Sequence, residues 1–114
     1  MEKTCSLKKN ESFLRVYRKG VRVHHRYFVL HACPNGLDRN RLGIKVGKKI
    51  AGAVGRNRIK RLVREAYRLS GGKPSCFCDF VIVAKEGVEK ITGLGEVSDA
   101  LTLLLGRLKV GRGK

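Results

Sequence analysis

Acidic residues are scarce in this chain. Only nine of 114 residues are Asp or Glu, and they stand apart as Glu2, Glu11, Asp38, Glu65, Asp79, Glu86, Glu89, Glu96 and Asp99. A protein that cleaves phosphodiesters with its own metal ions needs several convergent carboxylates. No such pattern is present, so neither a catalytic set nor a metal-ligand set is expected. There is also no G-x-x-x-x-G-K-[ST] loop and no Ser or Cys nucleophile motif. Tryptophan is absent and aromatics make up 6%, so the most basic segment lacks the facing Trp and Phe of a membrane-surface helix. Basic residues interrupt every apolar run well short of a membrane span. The opening MEKTCSLKKNESF lacks the apolar core of a signal peptide. A cytoplasmic protein with no membrane partner is expected. The four cysteines, Cys5, Cys33, Cys76 and Cys78, include a C-x-C pair rather than the C-x-x-C of zinc sites, and the three histidines lie far from it. They read as buried or half-buried thiols, not as a disulfide framework or a zinc site.

Positive charge is what the chain has in excess. Lys and Arg number 26, for a formal net charge of +17 and a pI near 10.4. A field of this size attracts polyanions and costs self-repulsion when alone, which makes nucleic acid the leading partner class. The length suits one domain, 1–114, with a basic, Gly-rich tail at about 109–114. A chain of this size can bury roughly two-thirds of its unfolded surface and needs no covalent staples.

Hydrophobic periodicity predicts a helix over Asn10 to Lys19, with Asn10 as N-cap and Gly20 closing it in the left-handed conformation. Phe13, Val16 and Tyr17 share one face of it. Val21 to Cys33 reads as two strands, a short half-exposed one in which Val21 and Val23 alternate with basic residues and a longer one over RYFVLHAC, with Phe28, Leu30 and Ala32 on one face and Tyr27, Val29 and His31 on the other. Pro34-Asn35-Gly36 opens a turn. Arg41 to Val46 alternates with Leu42, Ile44 and Val46 inward. A long helix from about Ala51 to Leu69 ends at Gly71-Gly72-Lys73-Pro74. Phe77 to Ala84 is a near-continuous apolar run that fits a strand covered on both faces. A last amphipathic helix spans about Gly95 to Leu108. The expected fold is an α+β sandwich of order αβββαβα, three helices on a mostly antiparallel sheet.

The long helix carries the chemistry. At about 100° per residue, Ile59, Leu62, Val63, Ala66 and Tyr67 fall within an arc of roughly 140° that can pack on the sheet. Asn57, Lys60, Arg61, Arg64 and Arg68 cluster within about 100° on the opposite side. Arg58 and Glu65 lie near one edge of this stripe, and Arg56 sits near the helix start. From Lys45 to Arg68 there are nine Lys or Arg and only Glu65 of opposite sign. An ordinary solvated face interleaves both signs, because like charges repel. Arg forks and Lys ammonium groups in one stripe suit phosphates, and Asn57 suits a base edge or a sugar. Lys45, Lys48 and Lys49 extend the basic surface just before the helix.

The segment KVGKKIAGAVGRNRIKRLVREAYR, with its Arg56-Asn57-Arg58 core, resembles the signature of the protein subunit of bacterial ribonuclease P. KKNESFLRVYRKG, RYFVLHA and RLGIKV precede it in that family's order, and the resemblance covers roughly residues 7 to 108. It departs from the family at His31, where an aromatic such as Tyr can occur, and in a short basic N-terminal arm. The resemblance implies a ribonucleoprotein that removes the 5′ leader of precursor tRNA by endonucleolytic cleavage. Its catalytic subunit is RNA and holds the essential Mg²⁺. The small basic protein is not catalytic alone and needs no protein partner. It binds that RNA through Arg56, Asn57, Arg58, Lys60, Arg61, Arg64 and Arg68. The leader is expected at Phe13, Tyr17, His31, Lys48 and Lys49. A left-handed crossover around the basic helix is also implied.

Read from the residues alone, Phe13, Tyr17 and His31 are open to two roles. They can pack in a core, or they can form the aromatic platform beside basic groups that holds single-stranded nucleic acid. Three other functions compete with the family reading. A ribosomal or other structural RNA-binding protein has the same composition but not the Arg-Asn-Arg helix in this context. A DNA-binding regulator would show a helix-turn-helix pair and a dimer interface. An autonomous nuclease lacks its carboxylates.

Overall fold

In the computed structural model the described residues are 4–69, 77–91 and 93–108. They form β1 (Thr4–Ser6), α1 (Asn10–Lys19), β2 (Val21–His24), β3 (Phe28–Pro34), β4 (Asn40–Lys45), α2 (Ala53–Leu69), β5 (Cys78–Ala84), a 3-10 turn (Val88–Lys90) and α3 (Leu94–Gly106). The α+β sandwich with three helices is as expected. The sheet is mixed rather than mostly antiparallel, with strand order β1-β4-β5-β3-β2. β2–β3 and β3–β5 pair antiparallel, whereas β1–β4 and β4–β5 pair parallel. The parallel β4–β5 pair follows from the connection: α2 carries the chain back along the sheet before β5 enters it. β1 is an addition to the expected order, three residues long and held by pairing with β4.

β5 sits between β4 and β3 and is covered on both faces, which explains its unbroken apolar run. Its Cys78, Phe80, Ile82 and Ala84 face the larger core, with Phe28, Leu30 and Ala32 of β3 and Leu42 of β4. α2 and α3 close this core. α2 contributes Ile59, Val63, Ala66 and Tyr67, the arc expected from its periodicity. α3 contributes Val97, Ala100, Leu101, Leu104 and Leu105. Leu101 and Leu104 are fully buried, and each such side chain stabilises by about 1.5–3 kcal/mol relative to exposure. The opposite face carries α1 and a smaller core of Leu7, Phe13, Val16, Cys33 and Val81.

Three local expectations are corrected. The residue capping α1 is Lys9, in extended conformation, and Asn10 is already helical. Gly20 leaves α1 with φ −84° rather than in the left-handed region. Its glycine is required by close approach: a Cβ there would stand 2.5 Å from the Ala32 carbonyl oxygen and 2.6 Å from that of Val16. Tyr27 precedes β3 and packs against the larger core, so it does not share the face of Val29 and His31. Cys33 and Cys78 are buried and are not joined in a disulfide. The helix-ending Gly71 to Pro74, Cys76, the tail 109–114 and the side chain of Cys5 lie outside the described residues.

Candidate nucleic-acid interface

The basic stripe of α2 stands on the side of that helix away from its core residues. Asn57, Arg61, Arg64 and Arg68 are exposed and Lys60 is half-buried. The helix is held by its apolar arc, so these cations are left for solvent or a ligand. Arg56 and Arg58 are half-buried and turn back on the chain. Arg56 donates to the Ala51 carbonyl at 3.0 Å, bracing the helix start. Arg58 donates to the Ile91 carbonyl at 3.2 Å, tying α2 to the segment after the 3-10 turn. Arg68 forms an ion pair with Glu65 one turn earlier, with its Nε 3.2 Å from Oε1. That hydrogen bond, more than the charge of Arg68, holds the Glu65 carboxyl below its ordinary range. The stripe is thus most open at Asn57, Arg61 and Arg64.

The second surface lies on the α1 side of the sheet. Phe13 and Tyr17 have ring centroids 6.5 Å apart, and Tyr17 meets His31 of β3 edge-on at 4.9 Å. The three expected aromatics are therefore brought together, but unequally. Phe13 is 8% exposed and Tyr17 38%. Phe13 packs over Gly43, where a Cβ would stand 2.5 Å from the ring. Burial raises the Tyr17 phenol above its usual range. Burial also lowers the His31 imidazole, helped by the charges of Arg22 and His24, so His31 is neutral at pH 7. Lys48 and Lys49 are exposed in the turn that links β4 to α2. The cation on the aromatic group itself is Lys45, whose Nζ lies 4.7 Å from the Phe13 centroid. Lys45 is on β4, not in the approach to the basic helix, because it alternates with Ile44 onto the face of Gly43.

One charged residue was not singled out by its sequence. Asp79, in the apolar run of β5, is fully buried. Arg41 of β4 grips its carboxylate with two bonds of 2.7 Å, from Nε and from Nη2. Arg15 of α1 reaches it at 3.2 Å, and the Asn35 amide donates to it at 3.0 Å. Arg15 also donates to the Pro34 carbonyl at 2.6 Å, and Asn35 to that of Arg39 at 3.0 Å. Burial, the largest single influence, pushes the Asp79 carboxyl up. The bonds from Arg41 and Asn35 and the charges of Arg41 and Arg15 together outweigh it, and the net direction is down. This network fixes α1 to the sheet, and so fixes where Tyr17 stands relative to β3.

Among the described residues, no three His, Cys, Asp or Glu side chains converge, and the buried Asp79 carboxylate is already taken by two guanidinium groups and an amide. Among those residues, too, no helix is long and apolar enough to cross a membrane.

The sequence profile of the Ribonuclease P family matches residues 1–109. The chain belongs to the ribonuclease P protein family. The ribonuclease P protein component of Lachnoclostridium phytofermentans is 44% identical over 96 residues, covering 84% of this chain and 82% of that protein. That of Shouchella clausii is 40% identical over 111 residues, covering 96% and 90%. Solved structures agree. The Staphylococcus aureus RNase P protein superposes with a TM-score of 0.80 at 35% identity, over 90% of this chain and 94% of that one. The Thermotoga maritima RNase P protein gives 0.81 at 31%, over 91% and 97%. Family membership makes the chain the protein subunit of a ribonucleoprotein endoribonuclease of tRNA 5′ maturation, as the Arg56-Asn57-Arg58 segment implied.

Proposed function

We propose that the chain binds the catalytic RNA of ribonuclease P through the outer face of α2 and the 5′ leader of precursor tRNA through the α1 face of the sheet. The observation that carries this reading is the placement of two unlike surfaces on opposite faces of one sheet. α2 presents Asn57, Lys60, Arg61, Arg64 and Arg68 on one side, with Arg56 and Arg58 bracing that helix at the edge of the stripe. α1 presents the Tyr17–His31 pair on the other, beside Lys45 and the loop of Lys48 and Lys49. Guanidinium groups in a stripe bind phosphates of a folded RNA by charge and forked hydrogen bonds. A neutral imidazole and a phenol ring offer π-faces to unpaired bases without reading their sequence. Phe13 supports this platform from beneath. The Mg²⁺ of the reaction belongs to the RNA, and the protein acts in the cytoplasm, where precursor tRNA is made.

The test is reconstitution. The protein is added to a bacterial ribonuclease P RNA and precursor tRNA at low Mg²⁺, and leader release is followed. Stimulation over the RNA alone, with no cleavage by the protein alone, is expected. No stimulation refutes the reading.

A further inference from the structure

β2 is the outer strand beyond β3. Its Val23 packs on the larger core. Arg22 pairs across the ladder with His31, and His24 with Val29. Directly opposed residues of an antiparallel pair project from the same face, so Arg22 and His24 stand on the α1 side, in line with the aromatic platform. The register continues across the sheet, with Val29 opposite Val83 and Val83 opposite Lys45. The row His24–Val29–Val83–Lys45 spans roughly 14 Å at about 4.8 Å per strand. Its middle is half-buried and apolar, and its two ends are exposed and basic or imidazole.

Residues 21–34 contain no acid. Two further cations converge on the end of β2. Arg107 donates to the His24 carbonyl at 3.1 Å, and Lys85 to the His25 carbonyl at 2.6 Å. Both bind main-chain oxygens there rather than carboxylates. A surface that holds like charge against its own repulsion suits a polyanion.

We propose that Arg22 and His24 form a distal phosphate track for single-stranded leader RNA that has crossed the Tyr17–His31 platform. This inference rests on the leader reading above and extends it to the sheet edge. Its polarity follows from the topology. Lys45 ends β4, and the chain runs from there through Lys48 and Lys49 into α2, where the catalytic RNA is proposed to sit. Leader next to the cleavage site therefore lies toward β4, and upstream leader lies toward β2. The track holds phosphates, so it is indifferent to leader sequence.

The experiment uses reconstituted holoenzyme and two precursor tRNAs. One leader is just long enough to cover the platform, and the other is several-fold longer. The double variant Arg22→Ala/His24→Ala alters exposed side chains only, and its unchanged melting confirms the fold. Affinity for the long-leader precursor is expected to fall roughly three- to five-fold, the scale of an exposed charged contact. Its salt slope should become shallower by about 0.7 for the lost phosphate contact. The short-leader precursor should be unaffected, and Arg22→Lys should retain long-leader binding. Equal losses for both leaders, or no loss for the long one, overturn the track. Tyr17→Ala, measured alongside, separates the two readings. If it leaves both precursors bound as before, the platform itself fails, whatever Arg22 does.

Discussion

Replacing Asp79 with Asn keeps the volume of the side chain and removes its charge. In the folded protein the carboxylate is fully buried and accepts two bonds of 2.7 Å from Arg41, one of 3.0 Å from Asn35 and one of 3.2 Å from Arg15. An amide there turns an NH₂ group toward cationic donors. Breaking a buried ion pair costs about 3–5 kcal/mol. The Arg41 and Arg15 side chains are 31% and 39% exposed, so both can regain water, and the expected loss is at the lower end, about 3 kcal/mol. At roughly 4 °C per kcal/mol for a chain of this size, the melting temperature should fall by about 12 °C. Urea unfolding followed by circular dichroism should show a lower midpoint at unchanged slope. The effect must also depend on pH. The folded-state carboxyl titrates below its unfolded value of about 3.9, so its contribution is complete above that pH and is lost as pH falls through the lower folded value. The gap between the parent and Asp79→Asn should therefore close in acid below about pH 4. A melting change under about 3 °C, or a gap that stays constant into acid, would refute the account of this network.

Arg61→Ala with Arg64→Ala should weaken binding to the catalytic RNA while moving the melting temperature little, because exposed charges add little to folding. If the stripe meets about five phosphates, log affinity should fall with log salt at a slope of about −3.5 to −4.5, measured by filter binding; a flat salt response contradicts the stripe. Tyr17→Ala should weaken precursor tRNA by roughly ten-fold and leave mature tRNA almost unchanged, since stacking is worth about 1–3 kcal/mol per base. Phe13→Ala should instead lose about 3–5 kcal/mol of stability by denaturant unfolding, because the ring is buried. Gly20→Ala should destabilise by at least about 1–3 kcal/mol, since its methyl would meet two backbone oxygens that cannot move aside; an unchanged midpoint would mean α1 can shift away from β3.

Elements with strong periodicity were legible in the sequence. The buried arc of α2 and the apolar run of β5 each state which faces are covered. β1 was not legible, because three residues carry no period and their pairing with β4 is set by tertiary contact. The parallel β4–β5 pair depends on the path of α2, which alternation along a strand does not encode. For the site, the outward stripe of α2 could be read from helical geometry alone. Spacing did not distinguish Phe13 from Tyr17, since one helix face holds both; only the fold shows Phe13 packed between Lys45 and Gly43 while Tyr17 stays 38% exposed. Asp79 was invisible for another reason. Its partners Arg15, Asn35 and Arg41 are 64, 44 and 38 residues away. A single acid in an apolar strand is a signal only when buried charge is expected to be paired.

The strand order has a consequence during synthesis. β3 and β4 are not neighbours, and the strand between them is β5, which leaves the ribosome after both of them and after α2. Until then the nascent chain carries two strands whose facing edges have no common partner, about two strand spacings apart in the finished sheet. Asp79 arrives with that same strand, so Arg15 and Arg41 await their counter-ion as well. A slot of this kind cannot be closed by the chain already made, and unpaired edges invite association with other chains. Completion of the sheet is thus a late, single event in the life of the polypeptide, and a chain stalled before Cys78 is a basic, open-edged intermediate rather than a smaller version of the fold.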